Sequence, residues 1–287
     1  MEEDSNPCPR APRTGTLRIG LSGLVALLVA WPVLAQGPKA QPPAAATPSA
    51  APAAAKPAAE PEAEMVVEPR AMQLLQAAWG WLGAQESYAF RADVQYDEVV
   101  GESTRLRVGG RVDVLVRRPD RFKVFFDGDR GQKIYLYDGK TFVLNDLRSR
   151  TWASAAVAGP NDAAVDTIVG KLGIVVPLSD FLVTGGAYSA DEVRGAYVVG
   201  QSRVAGRRCH QVLLLLDDLD VQVWVEADGN PMIRRILLTH HDAPGAPQFE
   251  ATFAEWYPPA AFSDYVFAFV QGESYRKVEL AAPAAKE

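Results

Sequence analysis

The segment KIYLYDGKTFVLND, residues 133–146, carries large apolar side chains on both faces of a predicted β-hairpin with a central Asp-Gly turn. Tyr135 and Tyr137 are predicted to lie on one face of the first strand. Ile134 and Leu136 then lie on the opposite face. An antiparallel sheet with one solvated face alternates apolar with polar residues instead. The pattern therefore predicts that the second face is covered too, by a helix, a partner or an apolar ligand.

A period of two in hydrophobicity extends over most of the chain after Tyr88, with Gly, Pro, Asn or Asp at the breaks. Short neighbouring strands joined by such turns form antiparallel meanders. The first predicted meander has strands near 88–99, 105–117, 121–127, 132–138, 141–147 and 151–155, and the second has strands near 196–204, 208–216, 220–226, 231–241 and 247–256.

Two segments have helical spacing instead. The first is an amphipathic helix of about four turns, with Pro69 near its start and Gly83 near its end. Its apolar positions are Leu74, Leu75, Ala78, Trp79 and Leu82. The second lies between the meanders, where Asn161 or Asp162 is predicted to cap a helix and PLSDFLV to form a further short turn.

The order helix, long meander, helical insertion and second meander predicts a mainly β protein with α elements, of the α+β class. We expect an incomplete antiparallel β-barrel, a half barrel, wrapped around the N-terminal helix and the helical insertion. The inner apolar face of the hairpin at 133–146 is then covered by the Trp79–Leu82 part of the helix and by residues 162–172.

The ends of the chain are predicted to lie outside this domain, which spans 65–280. Residues 1–35 have the apolar run and the short residues before Gln36 that are typical of a secretory signal peptide cleaved after Ala35. An uncleaved helix anchored in the inner membrane is the alternative. Residues 36–64 form an Ala/Pro-rich linker and 281–287 a tail, both predicted to be disordered. The predicted location is the periplasm.

Charge and cysteine content exclude some functions. The net charge is −6, and nucleic-acid binding needs clustered positive charge, so nucleic acid is not an expected partner. After cleavage Cys209 is the one remaining cysteine, which leaves no intrachain disulfide.

Four segments resemble, in the same order, a bacterial family of predicted periplasmic proteins with a domain of unknown function. These segments are RRPDRFKVFFDGDRGQKIYLYDGKTFVLNDLRSRTWAS, YVVGQSRVAGRRCHQVLLL, DVQVWVEADGNPMIRRILLTH and PQFEATFAEW. The resemblance covers about residues 66–280. The wider superfamily is similar to lipoprotein carriers and receptors of the LolA and LolB type. It implies an incomplete barrel whose apolar concave face, covered by helices, takes up acyl chains. The lipidated Cys of the receptors is absent, because Gln36 follows the apolar run.

Catalytic and metal-binding chemistry is not indicated. His240 and His241 are adjacent on a predicted strand and point to opposite faces, so we interpret them as a strand-end surface patch and not as metal ligands. Cys209 next to His210 is interpreted as a buried core cysteine and not as a nucleophile. The aspartates sit in turns, and Asp127 with Asp129 offers at most a weak calcium site. No enzyme activity, cofactor or metal is predicted.

The candidate ligand-binding site is apolar. The residues predicted to line the concave face are Val112, Val114, Val116, Phe122, Val124, Phe126, Phe142, Leu144, Trp152 and Trp224, and those of the helical lid are Leu75, Trp79, Leu82, Ile168 and Leu172. The alternative interpretation is that these side chains simply fill the core.

Two function hypotheses follow. The first is a non-catalytic periplasmic protein that binds or carries a lipid or the acyl chain of a lipoprotein. The second is an envelope structural or interaction protein with a filled core, a protein partner and no small ligand. A run of arginines is predicted to be a solvated face or to meet a lipid phosphate or an acidic partner: Arg105, Arg107, Arg111, Arg117, Arg118 and Arg121.

Overall fold

The computed structural model describes residues 65–185, 188 and 190–280. The predicted signal peptide, linker and tail lie outside these residues. No helix in the described part of the chain has the length and apolar character that crossing a bilayer requires.

Helix α1 spans Pro69–Gly83 and precedes the first meander. Its strands are β1 Ser87–Val100, β2 Thr104–Arg117, β3 Arg121–Gly128, β4 Gly131–Tyr137, β5 Thr141–Asp146 and β6 Thr151–Ala156. The second meander comprises β7 Gly195–Val204, β8 Arg207–Leu215, β9 Leu219–Glu226, β10 Ile233–His240 and β11 Gln248–Tyr257, and β12 is the short strand Arg276–Lys277.

All twelve strands form one sheet in the order β12-β6-β5-β4-β3-β2-β1-β11-β10-β9-β8-β7. The two meanders join through β1, which pairs antiparallel with both β2 and β11. Strands β7 and β12 lie at opposite edges, so the sheet does not close into a complete barrel. The predicted half barrel is confirmed, and each predicted strand agrees with an observed one to within two residues at either end.

The helical insertion between the meanders starts with a short helix α2, Asn161–Val165. A π-helical turn, Asp166–Lys171, and a 3₁₀ turn, Ser179–Phe181, follow it. The predicted capping by Asn161 or Asp162 is wrong, since Pro160 is the N-cap residue and no side chain caps the helix. The Asp162 carboxylate instead accepts a hydrogen bond from the backbone N–H of Thr184 at 2.9 Å. We refer to residues 157–184 as the insertion.

One apolar core lies on the concave face of the sheet, between the strands, α1 and the insertion. Ala71, Ala78 and Leu82 bring α1 into this core. Ala164 and Ile168 do the same for the insertion. Tyr135 and Tyr137 belong to it as well, and the Tyr137 hydroxyl donates a hydrogen bond to the Gly159 carbonyl of the insertion at 2.6 Å, so the inner face of the hairpin at 133–146 is covered. Helix α1 packs mainly against β7, β8 and β9 and not over this hairpin, so the predicted part of α1 in this cover is not confirmed.

The outer face of the same hairpin is covered by the C-terminal segment 258–280. Near the start of this segment, beside β1, the Ala260 carbonyl accepts a hydrogen bond from the Ser87 hydroxyl at 2.5 Å. Farther along, the Phe269 ring lies 4.8 Å from that of Trp152 in β6, and β12 pairs parallel with the edge of β6. Leu136 and Val143 lie on the strands between these anchor points, and each is 4% exposed. We call this segment the C-terminal strap.

Phe267 is the central apolar contact of the strap. Its side chain is fully buried, 5.9 Å from the Phe262 ring and 5.3 Å from the Arg117 guanidinium. Arg117 also forms an ion pair with Asp264 and donates a hydrogen bond to the carbonyl of Phe262 at 2.9 Å. The sequence did not reveal the face against which this apolar segment packs.

We predict that Phe267→Ala lowers the free energy of unfolding by about 3–5 kcal/mol, the range for truncating a buried Phe. Tyr265→Ala is the matched control in the same turn, because Tyr265 is 74% exposed and its truncation is expected to change stability by about 0.5 kcal/mol or less. Urea unfolding followed by circular dichroism measures both. Equal effects of the two variants would show that the strap does not stabilise the sheet.

Candidate functional site

Most of the residues predicted to line the concave face do lie on it. The structure brings together Val112, Val114, Val116, Phe122, Val124, Phe126 and Phe142 in the core, with Leu144 partly buried against it. Of the predicted lid, Leu75, Leu82 and Ile168 are buried in the same core, and Trp79 and Leu172 pack against it. Whether these side chains contact a ligand stays a prediction.

Two residues predicted for the concave face are on the convex face. Trp152 contacts Phe269 of the strap. Trp224 belongs to a separate small cluster with Val204 and Cys209. The prediction was wrong because the size of these aromatic side chains was weighed without the alternation of the strand. Val223 and Val225 occupy the concave face, so Trp224 between them points outward.

Phe181 of the insertion fills the centre of the concave face. Its ring centroid lies 4.7 Å from that of Phe253 and 5.6 Å from that of Phe90. Trp79 of α1 approaches it to 5.1 Å from the other side. Trp256 completes this aromatic cluster, 4.7 Å from Phe90. A side chain of the insertion therefore packs within the aromatic cluster on the concave face.

Arg118 holds the end of the insertion against the sheet. Its guanidinium donates hydrogen bonds to the Val183 carbonyl and the Thr184 hydroxyl, both at 2.9 Å. The same group donates to the Gln85 carbonyl just after α1 at 3.1 Å and lies over the ring of Tyr88. One cation thus links the end of α1, β1 and the insertion. We call this set of contacts the Arg118 latch.

Tyr88 and Asp162 reinforce the latch. The Tyr88 hydroxyl donates a hydrogen bond to the carbonyl of Phe181, and burial raises the pKa of this hydroxyl above its usual range. The Asp162 carboxylate accepts hydrogen bonds from the backbone N–H of Thr184 at 2.9 Å and from its hydroxyl at 3.0 Å. Gly83 allows the close approach, because a Cβ there would lie 2.9 Å from the carbonyl oxygen of Thr184.

A cleft of about 320 Å³ opens between α1 and the end of the insertion. Its lining is mainly apolar, and this volume is at the lower end of the range for small-molecule sites. The residues that line it are Met72, Leu75, Gln76, Trp79, Gly80, Thr184, Tyr188 and Leu214. Leu75, Trp79 and Leu214 also belong to or contact the concave core, so the cleft leads from the surface to that core.

A second pocket of about 270 Å³ is polar and its charges are paired within the protein. Arg207, Arg234 and Glu255 contribute to its lining. The buried Arg234 forms an ion pair with the buried Glu226 at 2.6 Å, and Arg207 approaches Glu226 to 3.6 Å. This pocket offers little apolar surface for an alkyl chain, so the cleft beside α1 is the better candidate site.

The histidines and the cysteine with potential metal-binding or nucleophilic chemistry are separated in the fold or buried within it. His241 is exposed and lies 2.8 Å from Asp220. His240 is buried, so the interpretation of both histidines as a surface patch was wrong for this one, and burial lowers its pKa. Cys209 is fully buried, and burial raises the pKa of its thiol. No group of side chains suited to hold a metal ion is found in the described ranges.

The predicted arginine run is not a free cationic patch. Arg105 and Arg107 pair with Asp97 at 3.7 and 2.9 Å. The remaining members have partners too: Arg111 with Asp113, Arg117 with Asp264, Arg121 with Asp120, and Arg118 in the latch. These internal partners weaken the hypothesis that the run meets a lipid phosphate.

The model of the family described as "Predicted periplasmic protein (DUF2092)" matches residues 71–281, which include α1 from its third residue, both meanders, the insertion and the strap. The chain belongs to this family. The match covers every element that forms the candidate site, so the site is part of the family's domain. A comparison with curated protein sequences gives no match.

Solved structures with low sequence identity give partial matches. Lipoprotein LppX of Mycobacterium tuberculosis has 12% identity and a TM-score of 0.43, covering 68% of this chain and 98% of its own. The MucA/MucB complex of Pseudomonas aeruginosa has 14% identity and a TM-score of 0.40, and the match covers 70% of this chain and 61% of that one. The LolA superfamily protein NE2245 of Nitrosomonas europaea has 11% identity and a TM-score of 0.35, and the match covers 69% of this chain and 97% of that one. Scores this low carry no argument about function.

We predict that Arg118→Ala loosens the insertion without unfolding the sheet. Loss of hydrogen bonds to a charged group costs about 1.5–3 kcal/mol. This loss corresponds to a roughly tenfold or greater rise in the fraction of molecules in which the insertion is open. Lys171 is exposed within the insertion, so endoproteinase Lys-C cleavage after it measures opening. Arg105→Ala in β2, the strand that ends just before Arg118, is the matched control. Equal cleavage rates in both variants and the natural protein would contradict the latch.

Proposed function

We propose that this protein is a non-catalytic, exported binding or carrier protein for a hydrophobic ligand, either a lipid or the acyl chain of a lipoprotein. The ligand enters through the cleft beside α1 and takes the place of Phe181 on the concave face. The observation that carries this proposal is the apolar concave face closed by a latched insertion, with the cleft at its margin.

The insertion has the features of an element with a second position. Leu178, just before the 3₁₀ turn that carries Phe181, has a φ of 57°. This left-handed conformation costs a residue with a side chain about 1–2 kcal/mol, and release of the turn recovers that cost. The latch is polar and sits at the end of the insertion, so its hydrogen bonds can exchange with water when the turn moves.

A comparison of free energies favours the exchange of the Phe181 side chain for an alkyl chain on the concave face. Exposing a buried Phe side chain costs about 1.5–3 kcal/mol, and breaking the charged hydrogen bonds of the latch a similar amount. An alkyl chain gains about 0.8 kcal/mol per buried methylene, or about 8 kcal/mol for ten. A ligand with one long chain therefore outweighs the closed insertion, whereas a small apolar molecule does not.

The second candidate is an envelope interaction protein whose core stays filled. The specific observation in its favour is a group of exposed apolar residues at the β7 edge of the sheet. Met65, Val66, Val67 and Val199 are all exposed, and Val67 pairs with Ala196 of β7. Such a patch beside a strand edge suits a protein partner. The two candidates differ in whether the protein takes up an alkyl chain.

The proposed site of action is the periplasm. The family description and the predicted signal peptide support export, and cleavage after Ala35 remains part of the proposal.

Gly80→Leu tests the binding site. Gly80 lines the cleft, and a Cβ there meets nothing within 4 Å, so a larger side chain enters the open space. Leu is a better helix former than Gly by roughly 0.8 kcal/mol, so the variant is expected to keep or gain stability. We predict at least a tenfold loss of affinity for a fluorescent sixteen-carbon fatty acid, measured by titration of residues 36–287.

Gly170→Leu is the matched control, because Gly170 is exposed in the π-helical turn and also has open space at its Cβ position. It is expected to bind as the natural protein does. Absence of any uptake by the natural protein would favour the envelope interaction protein. Uptake unaffected by Gly80→Leu would place the ligand outside the cleft.

A further inference from the structure

Two β-bulges shape the polar pocket of about 270 Å³. In β10 the register shifts between Ile233 and Arg235, so Arg234 has no partner residue in β9. In β11 the register shifts in the same way, and Ala254 has no partner residue in β1. Both unpaired residues line the pocket. Bulges re-aim side chains and are over-represented next to functional sites, so the strands themselves direct Arg234 into this pocket.

Arg234 has a guanidinium nitrogen that the protein does not engage. The side chain is 7% exposed, and its Nε and Nη2 lie 2.7 and 2.6 Å from one carboxylate oxygen of Glu226. No residue in the described ranges accepts a hydrogen bond from Nη1. This nitrogen is not sealed from solvent, and the pocket is the surface that Arg234 lines. A buried cation therefore keeps a free donor for a group in the pocket.

Arg207 brings a second cation to the same pocket. Its Nη1 lies 3.6 Å from the other carboxylate oxygen of Glu226, which is too far for a hydrogen bond, and its side chain is 64% exposed. Glu226 is buried and is not among the lining residues. The two arginines that face the pocket thus share one carboxylate outside it, which leaves an excess of one positive charge.

The acid that does line the pocket, Glu255, has partners of its own. Its carboxylate lies 3.3 Å from the Arg91 guanidinium and accepts a hydrogen bond from the Tyr257 hydroxyl. Arg91 and Arg111 in turn both pair with Asp113, so two cations balance two acids in this neighbouring group. Glu255 therefore does not cancel the excess positive charge of the two arginines in the pocket.

We propose that this pocket binds a phosphate group, with Arg207 and Arg234 donating hydrogen bonds to its oxygens. Guanidinium groups bind phosphate through paired N–H donors, and a phosphate has more acceptor oxygens than a carboxylate, so it engages both arginines at once. The volume lies just below the range for small-molecule sites, which suits a compact ionic group. The phosphate belongs either to a small soluble ester or to the head group of a lipid.

This inference goes beyond the proposed function and does not depend on it. Among the residues that line the pocket, Trp256 alone contacts the concave core, and none of them lines the cleft beside α1. Loss of phosphate binding and loss of alkyl-chain uptake are therefore separate results.

Isothermal titration calorimetry of residues 36–287 at pH 7.5 and low salt tests the proposal, since screening weakens exposed charges. The three probes are glycerol 3-phosphate, dihexanoyl phosphatidic acid below its micelle concentration, and succinate as a dicarboxylate. We expect a phosphate compound to bind about tenfold more tightly than succinate, because paired N–H donors match its oxygens better.

Arg207→Gln removes an exposed cation, so the variant is expected to fold and to lose about tenfold or more in affinity for the phosphate compound. Arg208→Gln is the matched control, because Arg208 is exposed on the same strand, pairs with Asp228 and does not line the pocket. Ala254→Glu keeps both arginines and adds a negative charge at an exposed position of the lining, so it is expected to abolish binding.

The two phosphate probes distinguish the sources. Binding of glycerol 3-phosphate that Arg207→Gln weakens would identify a soluble ester. Weakening confined to dihexanoyl phosphatidic acid would identify a lipid head group. Absence of phosphate binding, equal affinity for succinate, or phosphate binding unchanged in both Arg207→Gln and Ala254→Glu would overturn the proposal and leave the proposed function standing.

Discussion

The contact between Phe181 and the concave face of the sheet determines the arrangement of the rest of the molecule. A half barrel has an apolar inner surface that no opposing sheet covers, so covering elements must come from elsewhere in the chain. Helix α1 covers the β7–β9 side, and the insertion covers the first meander and the centre. The Arg118 latch, the strained Leu178 and the approach of Gly83 to Thr184 all serve to place this one aromatic ring.

The sheet is covered on both faces by different means. On the concave face the cover is an insertion held by a polar latch at its end, next to a cleft. On the convex face the strap crosses several strands and ends as an added strand at the edge of β6. The strap is held by the buried Phe267 and by the Arg117 guanidinium, which lies over the Phe267 ring. The polar latch and the adjacent cleft are the two features on which the proposed ligand exchange at the insertion rests.

The strands could be predicted from the sequence because a period of two and turn residues are local signals, and most of the residues predicted for the inner face lie on it. Trp152 and Trp224 could not be placed by size, since the face of a strand residue depends on its neighbours. The latch was missed because Arg118 sits among five other arginines and only the fold shows which carbonyl groups it meets.

Hydrogen exchange with and without a saturating sixteen-carbon fatty acid tests most directly whether the ligand takes the place of Phe181. In the free protein the amide of Phe181 donates to Leu178 and that of Leu182 to Ser179, both within the 3₁₀ turn. The account predicts that ligand binding speeds exchange at these two amides while the amides of β1 and β2 keep their protection. Tight binding with unchanged exchange at Phe181 and Leu182 would contradict it, because the insertion would then have stayed in place.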